Sequence, residues 1–314
     1  CGVTHKTINK HSTMKVPVFE CMLADDSKKH EKKMVGEVMV EPKLDGVRVI
    51  TICDVDKDEV KMFSRNGKEL SNFPTILKQF DDMMDQLAGS MVFDGEVMSD
   101  DFQTLMREIH RKGGAKTDDA VLNLFDCMPL EYFKEGSCNN TLAQRKKWLE
   151  GYKFGPNISL VEYVKMDLSD EDGQKQFADY NKMCIDRGFE GIMVKPFNGV
   201  YECKRSSLWL KVKPFIEVSL KVIDTEEGTG RNAGKLGALI VEGKDMDKFI
   251  KTNVGSGLTD ADRETFWKAK DKLIGQIVEV RADAITQNQD TEKEWSLRFP
   301  RFLRFRGFQP VEKM

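Results

Sequence analysis

The sequence contains no CxxC pair: its seven cysteines, at positions 1, 21, 53, 127, 138, 184 and 203, form an odd, scattered set. That arrangement fits neither a disulfide framework nor a zinc finger and suits free thiols in a reducing cytosol. Histidine is scarce too, with four residues at positions 5, 11, 30 and 110 that show no metal-ligand spacing. No run approaches the roughly 18 apolar residues that a membrane helix needs. The first residues also lack the basic, apolar and small-residue order of a signal peptide. A soluble, non-secreted protein with no membrane partner is expected. The chain opens on Cys1 rather than Met, so its start is expected to have been removed or to lie upstream, and residues before about Val16 read as a polar lead-in. Neither sign of charge is in excess, with 49 Lys plus Arg against 52 Asp plus Glu and a formal net charge of -3. Bulk charge gives no nucleic-acid footprint, so such a partner would be met by local basic patches. Internal repeats and low-complexity tracts are absent as well.

What is present is enough apolar mass for real cores. The 314 residues are 40% apolar and 32% charged, with a mean hydropathy of -0.47, and that length suits two domains. Over residues 1–213, β-rich runs (Val47 to Val55, Met91 to Met98, Val121 to Phe125, Gly191 to Lys195) alternate with amphipathic stretches. Ile76, Phe80, Met83, Met84 and Leu87 fall at helical spacing, as do Phe102, Leu105, Met106 and Ile109. Further helices are expected after Thr141 and before Gly188, giving an α+β domain with its Met and aromatic stripes in the core. The pattern changes at Lys213-Pro214. Residues 214–314 read as about five short strands and one helix, with Thr259 as N-cap and Asp262 three residues on. That content suits an all-β Greek-key barrel such as an OB-fold. This segment holds 17 basic and 17 acidic groups, which leaves the -3 on the first domain.

The strongest local signal is Glu41-Pro42-Lys43-Leu44-Asp45-Gly46-Val47-Arg48. Asp45-Gly46 favours a tight turn that would hold Lys43 at a strand end and bring Arg48 back near it. Four fixed positions, each matched by composition about one time in twenty, arise by chance in under about 1% of chains. A structural ion pair nevertheless remains the plainer reading of this motif on its own. Its company is more informative. Ser64-Arg65-Asn66-Gly67, Phe93-Asp94-Gly95-Glu96, Leu124-Phe125-Asp126, Glu190-Gly191-Ile192-Met193-Val194-Lys195 and Trp209-Leu210-Lys211-Val212-Lys213 follow in order.

This series, from about Val18 to Phe305, resembles the collinear motifs of covalent nucleotidyltransferases: ATP-dependent DNA ligases, RNA ligases and mRNA-capping enzymes. The segment Ser296-Leu297-Arg298-Phe299-Pro300-Arg301-Phe302-Leu303-Arg304-Phe305-Arg306 looks like the final motif of ATP-dependent DNA ligases in particular. The resemblance implies an adenylylation domain with antiparallel sheets and flanking helices, then an OB-fold domain on a hinge near Lys213 to Ile216. It also implies that Lys43 takes AMP from ATP as a lysyl-AMP intermediate, AMP passes to the 5′-phosphate at a nick in duplex DNA, and the 3′-hydroxyl displaces it. Positive charge from Arg48, Lys211, Lys213 and a bound metal would assist the nucleophile.

The same resemblance gives Glu96 and Glu190 to Mg²⁺, with Glu96 also reaching the ribose, and hard carboxylate oxygens suit that ion. Phe125 would stack on adenine, with Met193 or Val194 covering the other face. Glu41 would read the adenine amino group by carboxylate or carbonyl, and Glu20 to Ala24 would supply a backbone contact to the base. Arg65 would hold ribose or the nick phosphate. Lys211 and Lys213 would meet the α-phosphate, and Lys195 and Arg205 are weaker phosphate candidates.

In the last motif the pleat is expected to put Arg304 and Arg306 on one face and Leu303 and Phe305 on the other. Those arginines would orient pyrophosphate and meet DNA. The chain continues Gly307-Phe308-Gln309 where the pattern has an acidic residue, Asp and Lys, so only the arginines carry over. Arg231 and Lys235, in the Gly-rich stretch from Glu226 to Gly237, suit DNA phosphates or simply a mobile hairpin. No span is expected for a separate DNA-binding domain. An RNA ligase, a capping guanylyltransferase or a non-catalytic nucleic-acid-binding relative are the rivals. A monomer is implied, cytoplasmic in a bacterium or virus-infected cell and nuclear in a eukaryote.

Overall fold

The structure, a computed structural model, describes residues 19–98, 120–287 and 295–308. The lead-in, the expected helix through Phe102 and Ile109, and Gln309 lie outside the described residues. Two compact units follow one another, Cys1–Val212 and Lys213–Met314, so Lys213 belongs with the second.

The first unit is built on two five-stranded sheets. Its strands are β1 (Leu23–Asp26), β2 (Glu37–Pro42), β3 (Val47–Asp54), β4 (Glu59–Ser64), β5 (Met91–Met98), β6 (Val121–Pro129), β7 (Ser137–Cys138), β8 (Ile158–Leu160), β9 (Val164–Asp167), β10 (Ile192–Pro196), β11 (Tyr201–Glu202) and β12 (Arg205–Val212). One sheet runs β1-β12-β10-β2-β9 and the other β4-β3-β5-β6-β8. Pairing is antiparallel except for β1 with β12 and β6 with β8. Helices α1 (Pro74–Asp81), α2 (Leu130–Glu135), α3 (Leu142–Glu150) and α4 (Glu171–Asp186) flank them. The stripe expected to continue to Leu87 leaves the α-helix at Asp81 and resumes as a 3₁₀ turn over Met84–Gln86.

Alternation along the first sheet decides which residues can do chemistry. Val38, Val40, Ile192, Val194 and Leu210 pack with Phe177, Tyr180 and Cys184 of α4. The other face carries Glu41, Met193, Lys195, Trp209 and Lys211, and Met193 pairs in register with Glu41 on one side and Lys211 on the other. In the second sheet Val49, Phe93, Leu122 and Leu124 face the core under α1. Ile50, Val92 and Met128 instead join Met22, Tyr201 and Trp209, so the inner faces of the two sheets share one cluster.

The second unit contains β13 (Ile216–Glu227), β14 (Leu236–Asp245), β15 (Lys248–Val254), α5 (Asp260–Lys268), β16 (Ile277–Ala282), β17 (Ala284–Gln287), β18 (Trp295–Arg298) and β19 (Arg301–Gly307). That makes seven strands among the described residues rather than about five. The order β17-β18-β15-β14-β13-β16-β19 closes where Ser256, just past β15, bridges Arg301 of β19. Phe302 N–H donates to Ser256 O at 2.8 Å across that seam. Strands β13, β14, β15, β16 and β19 thus form a closed five-stranded barrel, and β17–β18 is an added hairpin. Helix α5 starts with the expected capping box, Thr259 with Asp262. One expectation is corrected here. A bulge pairs Glu279 with Arg304 and Val280 with Phe302, so Leu303 is the extra residue. Phe302 and Phe305 therefore both pack on Phe266, while Leu303 points outward.

Helix α3 is tied to β6 by a fully buried ion pair. Arg145 Nε and Nη2 lie 2.7 and 2.9 Å from the Asp126 oxygens, and Nη1 donates to the Asn140 and Gly199 carbonyls. Replacing Arg145 by Met strands the Asp126 charge and should cost ~3–5 kcal/mol of unfolding free energy in urea titrations. The double variant R145M/D126L should recover much of that loss.

Candidate active site

Lys43 sits where the chain leaves one sheet for the other. β2 belongs to the first sheet and β3 to the second, so Lys43 to Gly46 is a crossing and not the tight hairpin turn expected from Asp45-Gly46. Two backbone bonds clamp it: Lys43 N–H donates to Gly191 O at 2.8 Å, and Glu190 N–H donates to Lys43 O at 3.0 Å. Gly46 is needed for close approach, because a Cβ there would lie 2.3 Å from Val97 O and 2.6 Å from Met98 Sδ. The clamp delivers the side chains together, and Lys43 Nζ forms an ion pair with Glu190 Oε2.

Glu96 stands on β5 opposite Arg48 of β3, and its Oε1 accepts from Gly46 N–H at 2.9 Å. Burial raises the Glu96 carboxyl above the ordinary glutamate range, against the pull of the Gly46 bond and of Lys43 and Arg48. The nearby Glu190 carboxylate adds to the rise. Glu96 and Glu190 offer hard oxygens beside the lysine. Among the described residues no group of three or more His, Cys, Asp or Glu gathers. The pair therefore fits Mg²⁺, which takes one or two carboxylates plus phosphate, and not a fully protein-caged metal.

Several expected residues occupy other positions. Val194 is turned into the α4 core, so it cannot cover a base; Met193 is on the inner face, in the cluster with Phe125. The Glu41 carboxylate is buried between Lys146 Nζ and Lys195 Nζ, each 2.5 Å away. Burial opposes its charge, but the two ammonium groups win and hold its carboxyl below the usual range. Those ion pairs take up the Glu41 carboxylate. Lys195 is likewise a buried partner and not an open phosphate ligand, and burial pushes its ammonium down. Arg48 does not stand as a bare charge beside Lys43: its Nε and Nη2 lie 2.9 and 2.6 Å from the Asp94 oxygens.

Phe125 is the extra residue of a bulge, since pairing steps from Asp126 to Leu124 across Asp94 and Gly95. Such a bulge re-aims a side chain, and Phe125 meets Trp209 edge to face at 5.8 Å. Arg48 lies 5.3 Å and Lys195 4.7 Å from its centroid. Lys211 shares the inner face, whereas Lys213 is 3.6 Å from Asp283 within the second unit. Arg65 is exposed on the turn closed by Gly67 N–H to Ser64 O, where Gly67 holds a φ of +81°. Arg205 donates to the Ala24 carbonyl.

In the second unit Lys235 pairs with Glu264 at 2.5 Å and Arg304 with the buried Glu279 at 2.6 Å, so both charges are offset. Arg306 donates to Ser219 Oγ. Arg231 is exposed on the 3₁₀ turn Gly230–Asn232. Around it Gly228 N–H bonds Lys235 O and Gly234 N–H bonds Glu227 Oε1, giving this hairpin an internal hydrogen-bonded frame.

Asp94, Asp126, Arg145, Lys146 and Tyr201 received no role from sequence reasoning. A signal existed for the first two. A carboxylate inside an apolar β-run, as in Val-Phe-Asp-Gly and Leu-Phe-Asp, must be buried and therefore paired.

Two facing sheets with a lysine at their junction, followed by a closed five-stranded barrel, define a nucleotidyltransferase domain joined to an OB-like domain. Comparison with known proteins bears this out. A family model described as ATP dependent DNA ligase domain matches residues 21–213, and one described as DNA ligase OB-like domain matches residues 227–306. The chain belongs to the ATP-dependent DNA ligase family. It is 30% identical over 295 residues to a DNA ligase of Natronomonas pharaonis, covering 85% of this chain and 51% of that protein. It spans about half the length of the curated relatives it matches. The solved structure named Pmar-Lig_PreS3 superposes with a TM-score of 0.86 at 47% identity, covering 98% of this chain and 73% of that one. A solved Lig E DNA ligase shares the fold, with a TM-score of 0.65 at 21% identity over 91% of this chain and 99% of that one.

The raised Glu96 carboxyl carries a stability cost with a definite sign. A carboxyl whose folded value lies above its unfolded value stabilises the fold below the unfolded value, about 4.3 for Glu, and loses that contribution as pH rises through the folded value. Glu96→Gln keeps an oxygen for Gly46 N–H. Its melting temperature should match wild type near pH 4 and exceed it at pH 8, as read by calorimetry.

Proposed function

We propose that the chain seals nicks in duplex DNA through a lysyl-AMP intermediate. The observation that carries this reading is Lys43 Nζ against Glu190, with Glu96 beside them and Phe125 on the shared inner face, inside the segment matched by the ligase domain model. The Lys43 ammonium must first lose a proton, and Glu190 is the acceptor in contact with it. The amine then attacks the α-phosphorus of ATP; a P–N bond forms as the P–O bond to pyrophosphate breaks. AMP next passes to the 5′-phosphate of the nick, and the 3′-hydroxyl displaces AMP to close the strand.

Phe125 and Met193 supply the apolar surfaces for adenine, and Lys211 the positive charge for phosphate. Glu96 and Glu190 are the residues that would hold Mg²⁺, whose charge offsets that of the triphosphate. Arg231 and Arg306 are the basic groups offered to DNA. The near-neutral net charge is no obstacle, because salt-dependent binding reflects only the few phosphates contacted. The free thiols of the six described cysteines suit the reducing cytoplasm or nucleus, and we take the working form to be a monomer.

Incubation with α-labelled ATP and Mg²⁺ should give protein label that survives denaturation and disappears in Lys43→Ala. The label should chase onto nicked duplex DNA. Transfer only to nicked RNA would assign an RNA ligase, label from GTP alone a capping-type enzyme, and label undiminished in Lys43→Ala would remove the lysine from its role.

A further inference from the structure

We propose that Tyr201 is a positioning residue for Arg48, acting through Asp94. The proposal rests on the ligase reading above and on the expectation from the sequence that the positive charge of Arg48 assists the Lys43 nucleophile. Tyr201 lies on the two-residue strand β11, is fully buried, and was not singled out by any sequence motif. Its hydroxyl is placed between two groups. It donates to Asp94 Oδ2 at 2.7 Å and accepts from Met22 N–H at 3.1 Å. The same Asp94 oxygen takes Arg48 Nη2 at 2.6 Å, and the other oxygen takes Nε at 2.9 Å.

This arrangement fixes a cation by a chain of partners. A carboxylate gripping a guanidinium by two parallel bonds sets the plane of the arginine fork, but only as firmly as the carboxylate is held. Asp94 is buried with no access to water, and the Tyr201 hydroxyl is a further donor to the same Asp94 oxygen that takes Arg48 Nη2. The Tyr201 ring also stands at 90° to Trp209, 5.5 Å between centroids. That indole in turn lies 5.3 Å under the Arg48 guanidinium. Tyr201 thus braces Arg48 twice, through a hydrogen-bond chain and through a packed aromatic. The Arg145 guanidinium lies over the tyrosine ring, 5.8 Å from its centroid.

The bond to Met22 gives the chain a second end. Met22 lies in the stretch from Glu20 to Ala24, which leads into β1 beside β12. One hydroxyl therefore ties the backbone of this stretch to the Arg48 side chain across the two sheets. If the tyrosine only filled space, its loss would add to that of Arg48. If it acts through Arg48, the two losses overlap.

The test is a double-mutant cycle with Tyr201→Phe, Arg48→Lys and the double variant. Two rates are read: single-turnover labelling of Lys43 by α-labelled ATP, and sealing of pre-adenylylated nicked DNA. In whichever step uses Arg48, Tyr201→Phe should slow the rate by about tenfold, the scale of one hydrogen bond to a charged network. The double variant should then be no slower than Arg48→Lys alone. Multiplicative losses, or wild-type rates in both steps for Tyr201→Phe, would overturn the proposal. Tyr201→3-fluorotyrosine keeps the ring and packing. It should shift the rate in the wild-type background and leave it unmoved in the Arg48→Lys background; a shift in both overturns the proposal. Failure of the wild-type protein to take label from ATP would instead sink the ligase reading, so the two failures are distinguishable.

Discussion

The crossing from Lys43 to Gly46 is the constraint on which the rest of the first unit depends. A strand that ends in one sheet and resumes in another must pass close to both, and here it passes within contact of Val97 and Met98 only because residue 46 has no side chain. The backbone pair with Glu190 and Gly191 fixes the other end of the passage. Main-chain bonds thus fix the position of Lys43, and its amine faces the Glu190 carboxylate. In the proposed reaction this fixed backbone sets where the Lys43 amine meets its reaction partner.

Around that point the inner faces are crowded with charge that has been neutralised in place. Arg145 with Asp126 and Glu41 between Lys146 and Lys195 are buried, and Arg48 is mostly so against the buried Asp94. Buried pairs of this kind add little net stability compared with apolar replacements, though breaking one is costly. Their effect here is positional: they hold Phe125, Trp209 and the strands that bear Lys43 and Lys211 in one arrangement. Positive charge near the nucleophile is also more limited than the motifs alone imply. Arg48 is already paired, and Lys213 sits with Asp283 in the other unit.

The fold class, the strand runs, the helix after Thr141 and the cap at Thr259 were legible because they rest on local periodicity and turn chemistry. The faces were legible only in part. Val194 and Met193 are adjacent, both apolar and both β-formers, and nothing in their chemistry says which faces α4; register decides it. The bulges at Phe125 and Leu303 were illegible for a related reason. Alternation assumes unbroken pairing, so it misplaces Leu303 and gives no hint of how Phe125 is aimed. The crossing was misread as a hairpin because Asp-Gly marks tight turns, whereas Gly46 is required by close approach to β5. The partners of Asp94 and Asp126 come from residues 19 to 107 positions away, beyond any local pattern.

The account turns on one atom, Lys43 Nζ, as the acceptor of AMP. The direct measurement is peptide mapping by mass spectrometry after incubation with ATP and Mg²⁺, under alkaline conditions that preserve a phosphoramidate. The account predicts one AMP per chain, on the peptide bearing Lys43, with Lys195 and Lys211 unmodified. AMP on any other residue, or none on a chain that still seals nicked DNA, would contradict it.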